Sequence, residues 1–215
     1  MKTLIYCLAI SLISLTACKK NMSESYPKDG LVSYFNFDDN LLDQQGYAQS
    51  GTAKMTYITG KKGKAVQFDG VDQLVEFNAV NPQNQSKISL ACWVKTNENG
   101  ALKYFLNSNS FAAATASGKI NFIIINPVTN AVTSNTLISG EWTHVVGTYD
   151  GTNIKIYING QWVATQNHPG SINGFTSQLT LGFYNGMYWA GALDEIFLYN
   201  RVLTDTEIQA IYQLK

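Results

Sequence analysis

Short strand-like segments separated by turn residues are the feature that most constrains the fold of this chain. Near the middle of the sequence, Ile154, Ile156 and Ile158 alternate with more polar residues, which predicts a strand with one buried and one solvent-facing side. Asn159-Gly160 follows directly and suits a two-residue type I′ turn, because both central residues of that turn need positive φ. Residues 161–165 are then predicted to return as the second strand of a β-hairpin.

Similar segments, rich in β-branched and aromatic residues, recur along most of the chain. Of the 215 residues, 45% are hydrophobic and 14% are charged, which is enough apolar material for a packed core and excludes a disordered chain. Many short strands at a spacing of roughly 8–12 residues are typical of a single β-sandwich or barrel. Besides the hairpin, the predicted strands are residues 31–37, 65–68, 73–77, 88–94, 119–125, 142–149, 178–184 and 192–199.

One helix is predicted, at the C-terminus. Thr204 and Glu207 form a capping-box pattern, in which each side chain satisfies a backbone N–H of the first helical turn. Ile208, Ile211 and Leu214 follow at helical spacing, so the helix should bury one apolar side.

The N-terminus has the pattern of a secretion signal. Lys2 precedes an apolar run over residues 4–15, which is too short to span a bilayer as a helix. The run ends in Leu15-Thr16-Ala17-Cys18, which resembles the lipobox of bacterial lipoproteins; the alternative is an ordinary signal peptide with a chance cysteine. The resemblance implies a signal peptide at residues 1–17 and acylation of Cys18. Residues 18–29 would then be a flexible, lipid-anchored tether.

The predicted anchor implies a location in the bacterial cell envelope. Lys19 stands where lipoproteins kept at the inner membrane commonly have Asp, which favours the outer membrane. Of the three cysteines, Cys7 would leave with the signal peptide. Cys92 lies in an apolar predicted strand, where we expect a buried, inert thiol.

Several stretches, in order, resemble the laminin-G-like, concanavalin-A-type jelly-roll domains. The resemblance implies an all-β fold in which two antiparallel sheets form a jelly-roll sandwich, one sheet being concave, with the domain at residues 30–215. Because this fold hosts lectins, glycan-cleaving enzymes and interaction modules, it does not choose among them. The stretches are GLVSYFNFDDNLLDQQG from Gly30, GKAVQFDGVDQLVEF from Gly63, ISLACWVKT from Ile88, EWTHVVGTYDGTNIKIYINGQWV from Glu141, LTLGF from Leu179 and GALDEIFLYNRVLTDTEIQAIY from Gly191.

Charge and motif content exclude several functions. With 15 basic and 15 acidic residues, the chain has no charge excess to attract nucleic acid. Zinc and phosphate-loop motifs are absent from the sequence. Glycosidases need a pair of carboxyl groups at a defined separation, and no strand here carries them at alternate positions. Asp194 and Glu195 are adjacent on a predicted strand, so we expect their side chains to face opposite sides.

Calcium is the ion that the sequence favours. Asp38, Asn40 and Asp43 place hard oxygen donors in one loop after the first predicted strand. Related jelly rolls often hold a structural calcium ion where the first and last strands meet, and the resemblance makes Asp194 the distant ligand. The alternative is that these side chains satisfy turn backbones.

Candidate ligand-binding residues are those that could stack on or hydrogen-bond to a sugar. Tyr184 and Tyr188 flank Asn185 in a predicted loop, which favours their exposure. Trp162 and Trp189 are further aromatic candidates, although Trp189 also matches a core position of the family. His168 is a polar candidate.

These observations predict a lipid-anchored binding module of the cell envelope that is non-catalytic and binds carbohydrate or another surface glycan. The membrane is contacted through acylated Cys18, and structural calcium is the one predicted cofactor. The alternatives are a structural or protein-interaction lipoprotein and, third, a glycan-active hydrolase whose site has no recognised motif.

Overall fold

The computed structural model describes residues 26–46, 49–51, 55–78, 86–126, 128–137, 140–172 and 178–214. The predicted signal peptide and Cys18 lie outside these ranges. Among the described residues, no helix combines the length and the apolar character needed to cross a membrane.

The described part of the chain consists of strands and one short helix. The strands are β1 Leu31–Phe35, β2 Gln49–Gly51, β3 Thr56–Thr59, β4 Lys64–Asp69, β5 Val75–Asn78, β6 Ile88–Lys95, β7 Lys103–Asn107, β8 Phe111–Ala116, β9 Lys119–Asn126, β10 Val128–Leu137, β11 Thr143–Tyr149, β12 Asn153–Ile158, β13 Gln161–Asn167, β14 Gln178–Leu181, β15 Phe183–Tyr184, β16 Met187–Tyr188 and β17 Ala190–Tyr199. The helix is α1 Asp205–Tyr212.

Two antiparallel sheets form the domain, as predicted. The first sheet has the order β13-β12-β11-β6-β17-β4-β3, with β1 also paired to β17. The second has the order β10-β9-β8-β7-β14-β5-β2, and β15 and β16 form a small separate hairpin. The prediction of an all-β, two-sheet jelly-roll sandwich with one short C-terminal helix is therefore confirmed.

The core lies between the inner faces of the two sheets. Phe122 of the second sheet packs against Gly147 of the first, where any side chain would overlap the ring, so this glycine allows the close approach of the two layers. Cys92 is buried in the same core, and burial raises the pKa of its thiol. The expectation of a buried thiol at Cys92 is confirmed.

The predicted hairpin and helix form as expected. Asn159 and Gly160 have φ of 50° and 77°, and Ile158 pairs with Gln161 across the two-residue turn. The Thr204 side chain accepts from the Glu207 backbone N–H, and the Glu207 side chain accepts from the Thr204 backbone N–H, so both halves of the capping box are present.

The sequence patterns did not predict the short strands β2, β3 and β16 or three strands of five residues or more. These are β7, β8 and β10; β8 reads FAAATA, and alanine has a low intrinsic strand preference that tertiary packing overrides here. The predicted strand at 178–184 is divided into β14 and β15, because Gly182 has φ of 77° and breaks the extended conformation.

The outer face of the first sheet is covered. Helix α1 packs there through Ile208 and Ile211, which join a buried cluster with Phe197. Tyr26 covers the same cluster, with its ring centroid 5.0 Å from that of Phe197, and the Tyr199 hydroxyl donates to the Pro27 carbonyl oxygen at 3.0 Å. Residues 26–29, placed in the tether by the sequence, thus contact the domain.

His144 is fully buried beneath this helix. Its ring centroid lies 5.1 Å from that of Trp93 and 5.6 Å from that of Tyr212, and neither ring nitrogen has a hydrogen-bond partner. Burial, together with the positive charge of Lys61, lowers the pKa of His144 to about 3. The imidazole is therefore held neutral.

This buried histidine predicts acid sensitivity. Between about pH 6.5 and pH 3 the unfolded chain binds a proton that the folded protein does not, so the free energy of unfolding should fall as the pH falls. The slope from this group is at most about 1.4 kcal/mol per pH unit. Chemical denaturation of wild type and of His144→Leu across this range measures the free energy of unfolding of each. The stability advantage of wild type over His144→Leu should shrink, or change sign, as the pH falls.

His168→Ala is the control, because it removes the other histidine without touching the buried ring. A pH dependence that is the same in His144→Leu as in wild type would contradict the assignment.

Candidate functional site

The outer face of the second sheet is made of alternate residues of its strands. In β9, Ile120, Phe122 and Ile124 point into the core, so Asn121 and Ile123 point outwards. Ala112 and Ala114 of β8 lie beside them and have no exposed surface. We call this surface the alanine face; it comprises Tyr104, Ala112, Ala114, Asn121, Ile123, Ala131 and Thr133.

One row of side chains crosses the alanine face perpendicular to the strands. Thr133 of β10 pairs with Asn121 of β9, Asn121 with Ala114 of β8, and Ala114 with Tyr104 of β7. Three strand spacings separate the ends of the row, roughly 14 Å. Thr133 is exposed, Asn121 is 8% exposed, Ala114 is buried and Tyr104 is half-buried, so exposure is greater at the two ends of the row than in its middle.

An aromatic pair closes one end of this row. The ring centroids of Tyr104 and Tyr184 lie 4.6 Å apart with the planes inclined at 49°, and 42% of Tyr184 is exposed. Tyr184 belongs to the β15–β16 hairpin, whose turn residues Asn185 and Gly186 have φ of 49° and 79°, as a type I′ turn requires. Asn107 ties the hairpin to the sheet by donating from Nδ2 to the Phe183 carbonyl oxygen at 2.9 Å.

The other predicted ligand-binding residues lie in different surroundings. Tyr188 is half-buried, and its ring centroid is 4.7 Å from that of Phe183 in the same hairpin. Trp162 is 62% exposed on β13, at the edge of the first sheet. His168 is half-buried beyond the far end of β13, where its carbonyl oxygen accepts from the Tyr149 hydroxyl at 2.9 Å.

Trp189 requires a correction. Its side chain has no exposed surface and packs in the core against Phe68 and Phe105, with ring centroids at 6.0 and 5.6 Å. It cannot offer its ring to a ligand in this arrangement. The structure therefore brings together Tyr184, Asn185 and Tyr188 in one hairpin and separates them from Trp162, His168 and Trp189.

Two residues of the row were missed by sequence reasoning. Tyr104 lies in a strand that was not recognised, and no local signal pairs it with Tyr184, eighty positions away. Asn121 carries a signal that was available: it is the polar residue between Ile120 and Phe122, so the alternation already indicates an outward side chain.

The predicted calcium ligands are engaged with turn backbones. Asp38 Oδ1 accepts from the Lys64 backbone N–H at 2.9 Å, and Asp194 Oδ2 accepts from the Lys62 backbone N–H at 3.0 Å, so both carboxylates hold the turn between β3 and β4. Asp43 lies apart from them, accepting from the Tyr34 backbone N–H at 2.9 Å.

Asn40 completes the predicted set in the same manner, since its Oδ1 accepts from the Leu42 backbone N–H at 2.9 Å. Among the described residues, no group of three or more His, Cys, Asp or Glu side chains could together hold a metal ion. The four ligands as predicted do not form such a group, and their contacts match the alternative of turn stabilisation. Calcium binding itself stays a prediction.

Asp194 and Glu195 face the same side of β17, contrary to expectation. Glu195 has φ of 49°, and the pairing of β17 with β6 shifts between Asp194 and Phe197, which marks a β-bulge. The extra residue allows Leu193 and Ile196 both to enter the core, although they are three positions apart. The two acids between them therefore both point outwards.

Both acidic side chains are nevertheless buried, at 0% and 3% exposed for Asp194 and Glu195. The Tyr34 hydroxyl donates to Glu195 Oε2 at 2.8 Å. The pKa of Asp194 is raised to about 8, because burial and the nearby charge of Glu195 outweigh the opposing effect of the Lys62 backbone N–H. Neither carboxyl group is placed to reach a polymer substrate from solution.

A cleft of about 400 Å³ opens on the first sheet. Its lining includes Gln67, Lys95 and Glu98 but no aromatic ring, and none of the predicted site residues lies in it. The exposed aromatic rings among the predicted site residues lie outside this cleft, Tyr184 beside the alanine face and Trp162 on β13 of the first sheet.

Several solved structures have the same fold. The binding domain of Paraclostridial Mosquitocidal Protein 1 matches with a TM-score of 0.73 and 14% identity, covering 86% of this chain and 52% of that one. Domain 4 of AbnA, an extracellular arabinanase of Geobacillus stearothermophilus in complex with arabinotriose, matches with a TM-score of 0.72 and 20% identity, covering 85% of this chain and 98% of that domain.

The ligand-binding domain of botulinum neurotoxin serotype D, in complex with N-acetylneuraminic acid, matches with a TM-score of 0.70 and 16% identity over 86% of this chain. This chain spans about half of each toxin domain, 51% in the case of the neurotoxin and 52% in that of the mosquitocidal protein.

A search of curated protein sequences finds no match. The model of the laminin-G-like family described as the concanavalin A-like lectin/glucanases superfamily matches residues 69–209, more than half of the chain. Together with the two-sheet sandwich, this match means that the chain belongs to the concanavalin A-like lectin/glucanase superfamily.

Proposed function

We propose that this protein is a non-catalytic carbohydrate-binding module whose ligand lies on the alanine face. The observation that carries the proposal is the Tyr104–Tyr184 pair, which lies beside the buried alanines on the outer face of the second sheet. An exposed aromatic ring offers an apolar plane for the C–H side of a sugar, and its hydroxyl group supplies a hydrogen bond at the edge.

The different treatment of the two outer faces supports this choice. Helix α1, the one helix among the described residues, packs on the first sheet together with residues 26–29, and so it does not cover the second sheet. An arabinanase domain bound to arabinotriose and a toxin domain bound to N-acetylneuraminic acid have the same fold, which makes carbohydrate a reasonable class of ligand here. Because these proteins share at most 20% identity with this chain, the proposal rests on its own residues.

The proposed absence of catalysis is supported by the acidic residues. A glycosidase needs two carboxyl groups about 5 Å or roughly 6.5–9.5 Å apart across a bound sugar. Asp194 and Glu195 are adjacent but buried against the first sheet, on the side away from the alanine face. Turnover of a polysaccharide would favour the alternative of a hydrolase.

Tyr184→Ala should weaken glycan binding. Deleting a well-placed aromatic contact costs about 2 kcal/mol, or roughly 30-fold in Kd. A glycan array with residues 26–215 identifies the strongest ligand, and titration of that ligand measures the loss. Trp162→Ala is the matched control, since it removes a comparably exposed ring from the first sheet.

If Trp162→Ala abolishes binding while Tyr184→Ala does not, the site has been placed on the wrong sheet. Silence across a diverse array, combined with capture of a protein partner, would favour the interaction module instead.

We also propose that the protein is anchored in the cell envelope through an acylated Cys18, with the outer membrane as the favoured location. The full chain expressed in a bacterium should incorporate labelled palmitate, and Cys18→Ser should abolish the label because the acylated atom is missing. Cys7→Ser should keep it, since Cys7 would leave with the signal peptide. Equal labelling of the Cys18→Ser variant would rule the anchor out.

A structural calcium ion is proposed last, because the predicted donors Asp38, Asn40, Asp43 and Asp194 offer the hard oxygen ligands that calcium prefers. At 100 times its Kd, a bound ion stabilises the fold by about 2.7 kcal/mol. Chelation should then lower the melting temperature by roughly 5–10 °C. Calcium should restore it and magnesium should not; an unchanged melting temperature after chelation would count against the ion.

A further inference from the structure

A row of side chains crosses the outer face of the first sheet from β1 to β13. Each member pairs with the next on the neighbouring strand, so all of them point to the same side. Five strand spacings separate the ends of the row, roughly 24 Å. Helix α1 joins the buried cluster formed in its middle. The row is Tyr34, Phe197, Ala91, Val146, Tyr157 and Trp162.

The chain enters the domain at the β1 end of this row. The Tyr26 ring lies there, with its centroid 4.9 Å from that of Tyr34 and 5.0 Å from that of Phe197. Arg201 donates from Nε to the Asp29 carbonyl oxygen at 2.9 Å. The segment before β1 is therefore fastened to the outer face of the first sheet, and we call residues 26–29 the strap.

This attachment limits how the domain can sit on a lipid anchor at Cys18. Eight residue steps separate Cys18 from Tyr26, and they span at most roughly 29 Å. The sheets lie about 10 Å apart and carry outward side chains, so the alanine face is about 20 Å from Tyr26 across the sandwich. With the alanine face against the membrane, most of the tether would be needed to pass the sandwich. With the first sheet towards the membrane, that length is not needed.

The β13 end of the row carries an exposed ring that is held in place. Trp162 is 62% exposed, and its Nε1 donates to the Thr165 hydroxyl at 3.0 Å. The two residues face the same side although they are three positions apart, because the pairing of β12 with β13 shifts there. Val163 and Ala164 between them both pack towards the core. A largely exposed indole whose N–H is satisfied suits the boundary between lipid and water.

We propose that the outer face of the first sheet is the membrane-facing surface of the anchored protein, with Trp162 at the lipid interface, and that the alanine face is presented to the surrounding medium. This inference rests on the proposed acylation of Cys18 and deepens it, because it gives the anchored domain one orientation. The strap contributes by shortening the tether. The orientation keeps the alanine face accessible to a large polysaccharide, which a face against the bilayer would exclude.

The test uses the full chain, purified in its acylated form and inserted into vesicles of phosphatidylethanolamine and phosphatidylglycerol. A fluorophore is attached at one of two exposed positions, through Gln213→Cys at the end of α1 or Thr129→Cys on the outer face of β10. Cys92 is buried and the pKa of its thiol is raised, so it should not take up the label.

A quencher attached to the lipid head groups then reports which side of the domain is near the membrane. The label at residue 213 should be strongly quenched, and the label at residue 129 should keep nearly the intensity that it has without quencher. Equal quenching at the two positions, or stronger quenching at residue 129, would overturn the inference.

Two variants test the strap and the ring separately. Tyr26→Ala should raise quenching at residue 129, because the twelve steps from Cys18 to Gly30 span up to about 43 Å once the strap is released. Trp162→Ala should weaken quenching at residue 213, and it keeps the test open if Tyr26→Ala fails to fold. Tyr184→Ala is the matched control, since it removes a comparably exposed ring from the opposite side. Unchanged quenching in Trp162→Ala would contradict the role of this ring.

Flotation of the vesicles separates this inference from the proposed anchor. Acylated wild type should float with the vesicles, and Cys18→Ser should stay in solution. If wild type carries no acyl chain and does not float, the anchor falls and the orientation falls with it. If wild type floats but both labels are quenched equally, the anchor stands and the orientation is wrong.

Discussion

The packing of the two sheets through their inner faces is the constraint on which the rest of the structure depends. Phe122 presses against Gly147 at a point where no side chain is tolerated, so the layers approach closely and bury nearly every inward residue. Each strand then has only its alternate residues left for other tasks. On the first sheet these outward residues hold the helix and residues 26–29, and on the second they form the alanine face.

The bulge in β17 shows how one residue changes what a strand can do. A regular strand would have sent Asp194 and Glu195 to opposite sides and one of them into the core, at a high cost for a buried charge. The left-handed conformation of Glu195 turns both outwards, where backbone N–H groups and the Tyr34 hydroxyl satisfy them. Neither acid lines the cleft on the first sheet, which agrees with the proposal of a non-catalytic module.

Sequence reasoning succeeded where the physical cause is local. The Asn159-Gly160 turn and the Thr204–Glu207 capping box were correct because both depend on the φ preferences and side-chain reach of a few neighbouring residues. It failed for β8, since strand formation by an alanine-rich segment depends on the strands on either side. Among the candidate site residues, the hairpin tyrosines could be named, but their partner Tyr104 could not.

The amino-acid sequence by itself determined the all-β class, the positions of most strands, the hairpin and the capped helix, because alternation and turn chemistry are read within short windows. Only the tertiary structure decided which outward residues meet. Register and strand order bring Thr133, Asn121 and Tyr104 into one row and place Tyr184 at its end, and these neighbours are distant in sequence. Local sequence patterns therefore do not predict a site that is built across strands, since cross-strand contacts depend on the order and register of the whole sheet.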